Sequence, residues 1–262
     1  MNKIRLKGEN FHYQEVGIGS PVILLHGMGS DHTVWQGLIS LLKDNYQMLA
    51  LDLRGHGQST KTPGPYSMEL FSQDVYHFLE SMDIDKAHFI GHSMGGSILL
   101  EMAIKHPKMI HSLSLISSFA SVDPQLEKTL LNLQKILNQD GFETFFECCL
   151  QLAYTPNFIK ENRELFSQIR SDMAQEITIT SLQDTLNACL EVDLIDSLGN
   201  LEIPVLLIAG REDHFTPFHH SQNIKNVISQ AQLEVMDGVG HNLLVENATD
   251  TGHIIRKFLN SL

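Results

Sequence analysis

The chain has 262 residues, 42% of them hydrophobic and 19% charged, a balance that suits a globular protein with an ordinary core and excludes a disordered or fibrous one. Acidic residues outnumber basic ones 31 to 18, for a formal net charge of -13. Such a surface repels phosphate backbones and anionic lipid heads, so no nucleic-acid partner is expected.

Taken in chain order, the start Met1-Asn2-Lys3-Ile4 leads into no apolar segment of the kind a secretory leader requires. Short apolar runs follow at Val22–Leu25, Met48–Leu51, His88–Ile90, Leu113–Ile116, Val205–Ile208 and Leu233–Met236. Runs that are apolar on both faces predict parallel strands covered by helices. All are far too short to span a bilayer, so no membrane span is expected. Helices are predicted at 68–82, where Leu70, Phe71, Val75, Phe78 and Leu79 recur every three or four residues, and at 249–261 on the same pattern. Residues 94–106 are apolar almost all round, as a helix against a sheet centre would be, and Pro107 stops them. The alternation predicts a doubly wound α/β sheet.

One stretch breaks the rhythm. Residues 123–195 carry helical patterns and five phenylalanines (142, 145, 146, 158 and 166) but no strand run. They are expected to form a helical cap inserted into a core made of residues 1–122 and 196–262. The phenylalanines suit either packing of that cap or the wall of an apolar pocket, and packing is the commoner use. The three cysteines, Cys148, Cys149 and Cys189, form no C-x-x-C pair and fit buried thiols in a reducing cytoplasm.

The chemistry concentrates at Gly91-His92-Ser93-Met94-Gly95-Gly96, between a predicted strand and a predicted helix. That is the setting of a G-x-S-x-G elbow, in which small neighbours let a sharp turn push the serine hydroxyl into the open. A serine hydroxyl needs a base in contact and a group to orient that base. In this architecture the acid and then the histidine follow the serine along the chain. Asp213, after the run 205–209, and His241, after the run 233–236, lie in loops at the carboxyl ends of strands, the edge where open α/β sheets bind ligands. Glu212, Asp123 and Asp237 compete for the acid's place; Asp123 would serve if the acid followed the preceding strand. Two backbone N–H donors are needed for the developing oxyanion. Met94, after the serine, and Met28, in His26-Gly27-Met28-Gly29, are the candidates.

Together these motifs resemble the α/β-hydrolase superfamily over nearly the whole chain. Asp52-Leu53-Arg54-Gly55-His56-Gly57-Gln58-Ser59 resembles that family's loop after the next strand, with Arg54 and His56 in structural roles. Ile203 to Gly210 and Asp213-His214-Phe215-Thr216-Pro217 resemble its acid-bearing segment. Within the superfamily the chain is similar to small bacterial-type esterases, to 3-oxoadipate enol-lactonases around 193–198, and to esterases that demethylate carrier-bound pimeloyl esters. The resemblance implies a serine hydrolase for a small-molecule carboxylic ester or lactone. Ser93 would be nucleophile, His241 base and Asp213 its orienting acid. Thioester, amide or carbon–carbon bond cleavage, or a slow-turnover signalling receptor, would use the same triad. No cofactor is expected. No metal is expected either: there is no H-E-x-x-H, and His219-His220 is taken as a solvated helix start.

Overall fold

A computed structural model describes residues 1–262. Eight strands form one sheet: β1 (Asn2–Leu6), β2 (Glu9–Val16), β3 (Ser20–Leu25), β4 (Tyr46–Leu51), β5 (Ala87–His92), β6 (Ile110–Ile116), β7 (Val205–Gly210) and β8 (Gln232–Met236). Their order across the sheet is β1-β2-β4-β3-β5-β6-β7-β8. β2 runs antiparallel to both of its neighbours, and the remaining pairs are parallel. The six apolar runs are β3 to β8. The edge hairpin β1–β2 escaped the apolar-run criterion because its side chains alternate, with Phe11 and Tyr13 buried between polar neighbours that are exposed or half-buried.

Each central strand is buried on both faces, and the period of two sorts its residues. Ile23, Leu25, Leu49, Phe89 and Leu115 face one layer, where they meet Phe71, Val75 and Phe78 of α2 (Met68–Ser81) and Ile98 and Met102 of α3 (Met94–Lys105). Val22, Leu24, Met48, Ile90 and Ile208 face the other. There they meet Leu38 and Leu42 of α1 (Gln36–Leu42), and Ile255 and Phe258 of α11 (Ala248–Leu259). Ser67 caps α2 by accepting from the Leu70 N–H at 3.1 Å, which fixes where that helix begins.

Between β6 and β7 the chain forms no strand but five α-helices, α4 (Pro124–Gln139), α5 (Gly141–Ala153), α6 (Pro156–Glu161), α7 (Arg163–Glu176) and α8 (Ile179–Leu190), and then a 3-10 turn at Ile195–Asn200. Leu126, Leu130 and Leu133 of α4 and Leu182 and Leu186 of α8 belong to the same apolar cluster as Phe89 and Leu115 of the sheet. A smaller cluster of Phe146, Leu150 and Phe166 lies within the insertion itself. The chain then completes the sheet around α9 (His219–Val227), and the short α10 (Leu243–Glu246) leads from β8 to α11. No helix is long and apolar enough to cross a membrane.

Candidate active site

The strand order reverses between β3 and β5, since β4 lies on one side of β3 and β5 on the other. Loops leaving the carboxyl ends there diverge and open a crevice. The loop after β3 carries Met28, and the turn after β5 carries Ser93.

Ser93 sits at φ +53°, a conformation that costs a residue with a Cβ on the order of 1–3 kcal/mol. Its neighbours explain why the turn holds. A Cβ on Gly91 would come within 2.6 Å of Gly96 N, and one on Gly95 would strike the carbonyl oxygen of Leu25. The Ser93 N–H donates to the Ile116 carbonyl at 2.8 Å, tying the turn to β6. Gly27 packs against the other side, where a Cβ would lie 3.1 Å from that of Ser93.

His26 holds the loop in place. Its Nδ1 bonds the Gly27 carbonyl at 2.8 Å, and its Nε2 accepts from the Leu53 N–H at 3.0 Å. Burial keeps this imidazole below its ordinary pKa, so it is neutral and can donate from one nitrogen and accept at the other. The N–H groups of Met28 and Met94 make no hydrogen bond within the chain.

The proposed acid and base meet. His241 Nδ1 lies 2.9 Å from Asp213 Oδ2, with Asp213 2% and His241 5% exposed. Asp213 is itself fixed: Oδ1 accepts the N–H groups of Phe215 at 2.9 Å and Thr216 at 2.8 Å, and Oδ2 accepts from the Thr216 hydroxyl. Phe215 stacks on the His241 ring, with centroids 5.1 Å apart. The three rival acids are engaged elsewhere. Glu212 accepts the Val239 N–H, Asp237 pairs with Arg211 at the surface, and Asp123 caps α4 and bonds His219. Arg54 pairs with Asp74, and His56 is buried with its Nδ1 on the Arg54 carbonyl.

The histidine loop is also bolted to the insertion. The Ala153 carbonyl accepts from the N–H groups of both His241 (2.9 Å) and Asn242 (3.1 Å). Glu246 accepts from the Thr155 N–H at 2.7 Å, from the Thr155 hydroxyl at 2.8 Å, and from the Gly240 N–H. The partners from the Ala153–Thr155 segment carried no sequence signal, because they meet the histidine loop from some 90 residues away.

Ser93 and His241 open on one pocket of about 150 Å³, well below the roughly 300–1,000 Å³ of sites for drug-sized ligands. Its floor includes Gly27, Met28 and Phe215, and its walls come from the insertion, among them Phe145, Phe146, Leu150, Phe166 and Met173. Phe145, Phe146 and Phe166 are also packed in apolar clusters, so these phenylalanines serve both uses expected of them. Phe142 and Phe158 only pack. Two polar side chains in the wall were missed from sequence: Asn242 donates to the Tyr154 hydroxyl at 2.7 Å, and Asn242 Oδ1 is buried without a partner. The cysteines are free thiols, and burial raises the pKa of Cys149, which lines the pocket.

One expectation fails. His219-His220 was expected at a solvated helix start, yet His220 is 3% exposed and faces Asp123 together with His219. The helix begins where expected, but its first turn lies against the strap that leads into α4.

Comparison with known proteins agrees with this fold. The α/β-hydrolase fold family matches residues 20–248, and the chain belongs to that family. A relative from Pseudomonas syringae pv. syringae, named as a candidate carbamate hydrolase, RutD, is 26% identical over 253 residues, covering 96% of this chain and 98% of its own. Among solved structures, the enol-lactonase of Burkholderia xenovorans LB400 superposes with a TM-score of 0.92 at 21% identity, covering 99% of this chain and all of its own. A thermophilic esterase from Thermogutta terrifontis, with malate bound, gives 0.90 at 23% identity, covering 100% of this chain and 99% of its own. Family and relatives support a hydrolytic function.

Proposed function

We propose that the chain is a serine hydrolase that cleaves a small carboxylic ester or lactone through an acyl-enzyme. The observation that carries this is one pocket holding Ser93 on its strained turn and His241 hydrogen-bonded to Asp213 at 2.9 Å. Ser93 Oγ attacks the carbonyl carbon while His241 Nε2 takes its proton, and Asp213 stabilises the imidazolium. The carbonyl oxygen becomes an oxyanion facing the free N–H groups of Met28 and Met94. His241 returns the proton to the leaving alkoxide, then activates water to release the acid and restore Ser93. Residues 123–195 act as a cap whose apolar wall encloses the acyl or alcohol group.

The pocket's small volume supports a short chain. A second reading is favoured by the unpartnered Asn242 Oδ1, which could accept an N–H of the substrate. A carbamate carries such a donor, and RutD is named for that bond.

Both readings are tested by kcat/KM on p-nitrophenyl acetate, butyrate, octanoate and palmitate and on a p-nitrophenyl carbamate, with Ser93→Ala as blank. Repeated turnover, highest for the two short esters, is expected. Release of about one equivalent of nitrophenol followed by a stall on every ester would reject the esterase reading in favour of a receptor-like protein. Continued turnover confined to the carbamate would favour the second reading.

A further inference from the structure

Outside the pocket, three side chains converge where the chain leaves the sheet for the insertion. Asp123 ends the strap after β6 and caps α4, while His219 and His220 open α9. Asp123 divides its two oxygens: Oδ1 accepts the Leu126 N–H at 2.8 Å, and Oδ2 faces both imidazoles. His219 Nε2 lies 2.7 Å from that oxygen and His220 Nε2 3.6 Å from it. The three ligand-type atoms lie within 4.8 Å of one another.

His220 is the informative member. Its side chain is 3% exposed, and Nε2 has no hydrogen-bond partner, because 3.6 Å to Asp123 is too long for one. A buried nitrogen left unpaired costs on the order of 1–3 kcal/mol, and native proteins rarely tolerate it without a use. Here the unpaired nitrogen lies 3.6 Å from a carboxylate oxygen that already holds a second imidazole.

We propose that Asp123, His219 and His220 form a zinc-binding site that clamps the start of the insertion to α9. Two imidazole nitrogens and a carboxylate oxygen are a borderline donor set suited to Zn²⁺ rather than to Mg²⁺ or Ca²⁺. Ligand bonds of about 2.0–2.2 Å in a tetrahedron put donor atoms roughly 3.4 Å apart, and the two imidazole–carboxylate separations, 2.7 and 3.6 Å, bracket that edge. The ion displaces the hydrogen bond between His219 and Asp123. Both imidazoles bind neutral, each carrying its hydrogen on Nδ1, and the carboxylate is already ionised. The side chain of His219 is 40% exposed, so water reaches the fourth position. The clamp is structural: it joins the strap before α4 to the helix that directly follows the Asp213–Thr216 loop, and it touches no reacting atom.

The test is isothermal titration of chelator-stripped, desalted full-length protein with zinc chloride, paired with thermal unfolding with and without zinc. Saturable binding of one equivalent and a rise in Tm are expected. His219→Ala removes the exposed ligand and keeps the buried His220 side chain. His220→Gln and Asp123→Asn remove the other two. Loss of a group that merely orients a metal ligand costs roughly 10–100-fold in affinity, so each variant should lose at least tenfold. His111→Ala, at an exposed histidine elsewhere, should bind as the parent does. Absence of saturable binding in the parent overturns the proposal. So does binding that survives His219→Ala, and so does binding lost in His111→Ala.

Discussion

At Asp213 a single side chain is held by backbone groups, and that makes its role separable. Asp213 receives two backbone N–H groups on Oδ1, leaving Oδ2 to face His241. Asp213→Asn keeps the shape but presents an amide to one or the other partner, so kcat should fall by on the order of 10⁴. Asp237→Asn, at the surface beside Arg211, should change kcat by less than roughly tenfold. The reverse ranking, with both variants folded by circular dichroism, would remove Asp213 from the triad.

The histidines that take no part in this chemistry make a different prediction. Burial, with neighbouring His111, pushes the His88 imidazole down to about 4; burial likewise puts His56 and His92 at about 3. In the unfolded chain each titrates near 6.5. Between those values the unfolded state binds more protons, so stability is full above about pH 6.5 and declines as acid is added. Each such histidine contributes at most ~1.4 kcal/mol per pH unit. The urea midpoint should therefore drop from pH 7 to pH 5, and less so in His88→Gln. A parent midpoint unchanged over that range would contradict the assignment.

At the scale of elements, the histidine loop and the insertion meet through one carboxylate. Glu246, at the end of α10, receives hydrogen bonds from Thr155 and Gly240. Thr155 follows α5, so the same group touches the loop of His241 and the element that walls the pocket. Glu246→Ala strands these donors. A loss of roughly 1–3 kcal/mol in stability is expected from an unpaired buried donor. A displaced His241 should also lower kcat by roughly 10–10²-fold with a smaller change in KM, since misplacement by about an ångström costs that much. Glu246→Gln, which keeps an acceptor oxygen, should recover part of both. An unchanged kcat in a destabilised Glu246→Ala would confine this residue to stability.

For the whole molecule the question is whether sheet and insertion are one folding unit. Leu126, Leu133 and Leu186 of the insertion share an apolar cluster with Phe89, Leu115 and Leu207 of the sheet. A shared core couples the unfolding of both parts. Urea denaturation followed by circular dichroism and by the fluorescence of Trp35, which lies in the layer opposite the insertion, should coincide in one transition. Leu133→Ala should shift that single transition by about 2–5 kcal/mol without splitting it. Two separated transitions would make the insertion an independent unit.

How much of this was legible in the sequence depends on how far apart the interacting residues lie. Six of the eight strands, the elbow at Ser93 and the loops of Asp213 and His241 could be read directly, because each is written within a few consecutive residues. A strand buried on both faces is apolar at most positions, and a turn at φ +53° needs small neighbours. The edge hairpin was lost because a half-exposed strand carries half the signal. Tyr154, Asn242 and Glu246 left no trace in the local pattern, and the environment of His220 was misread. Their surroundings come from segments some 90 residues away: the Ala153–Thr155 turn meets residues 240–246, and the strap at Asp123 meets α9. Period and turn chemistry act between neighbours in the chain, whereas the burial of a polar atom, the volume of a pocket and the meeting of Asp123 with two histidines exist only once distant segments have packed.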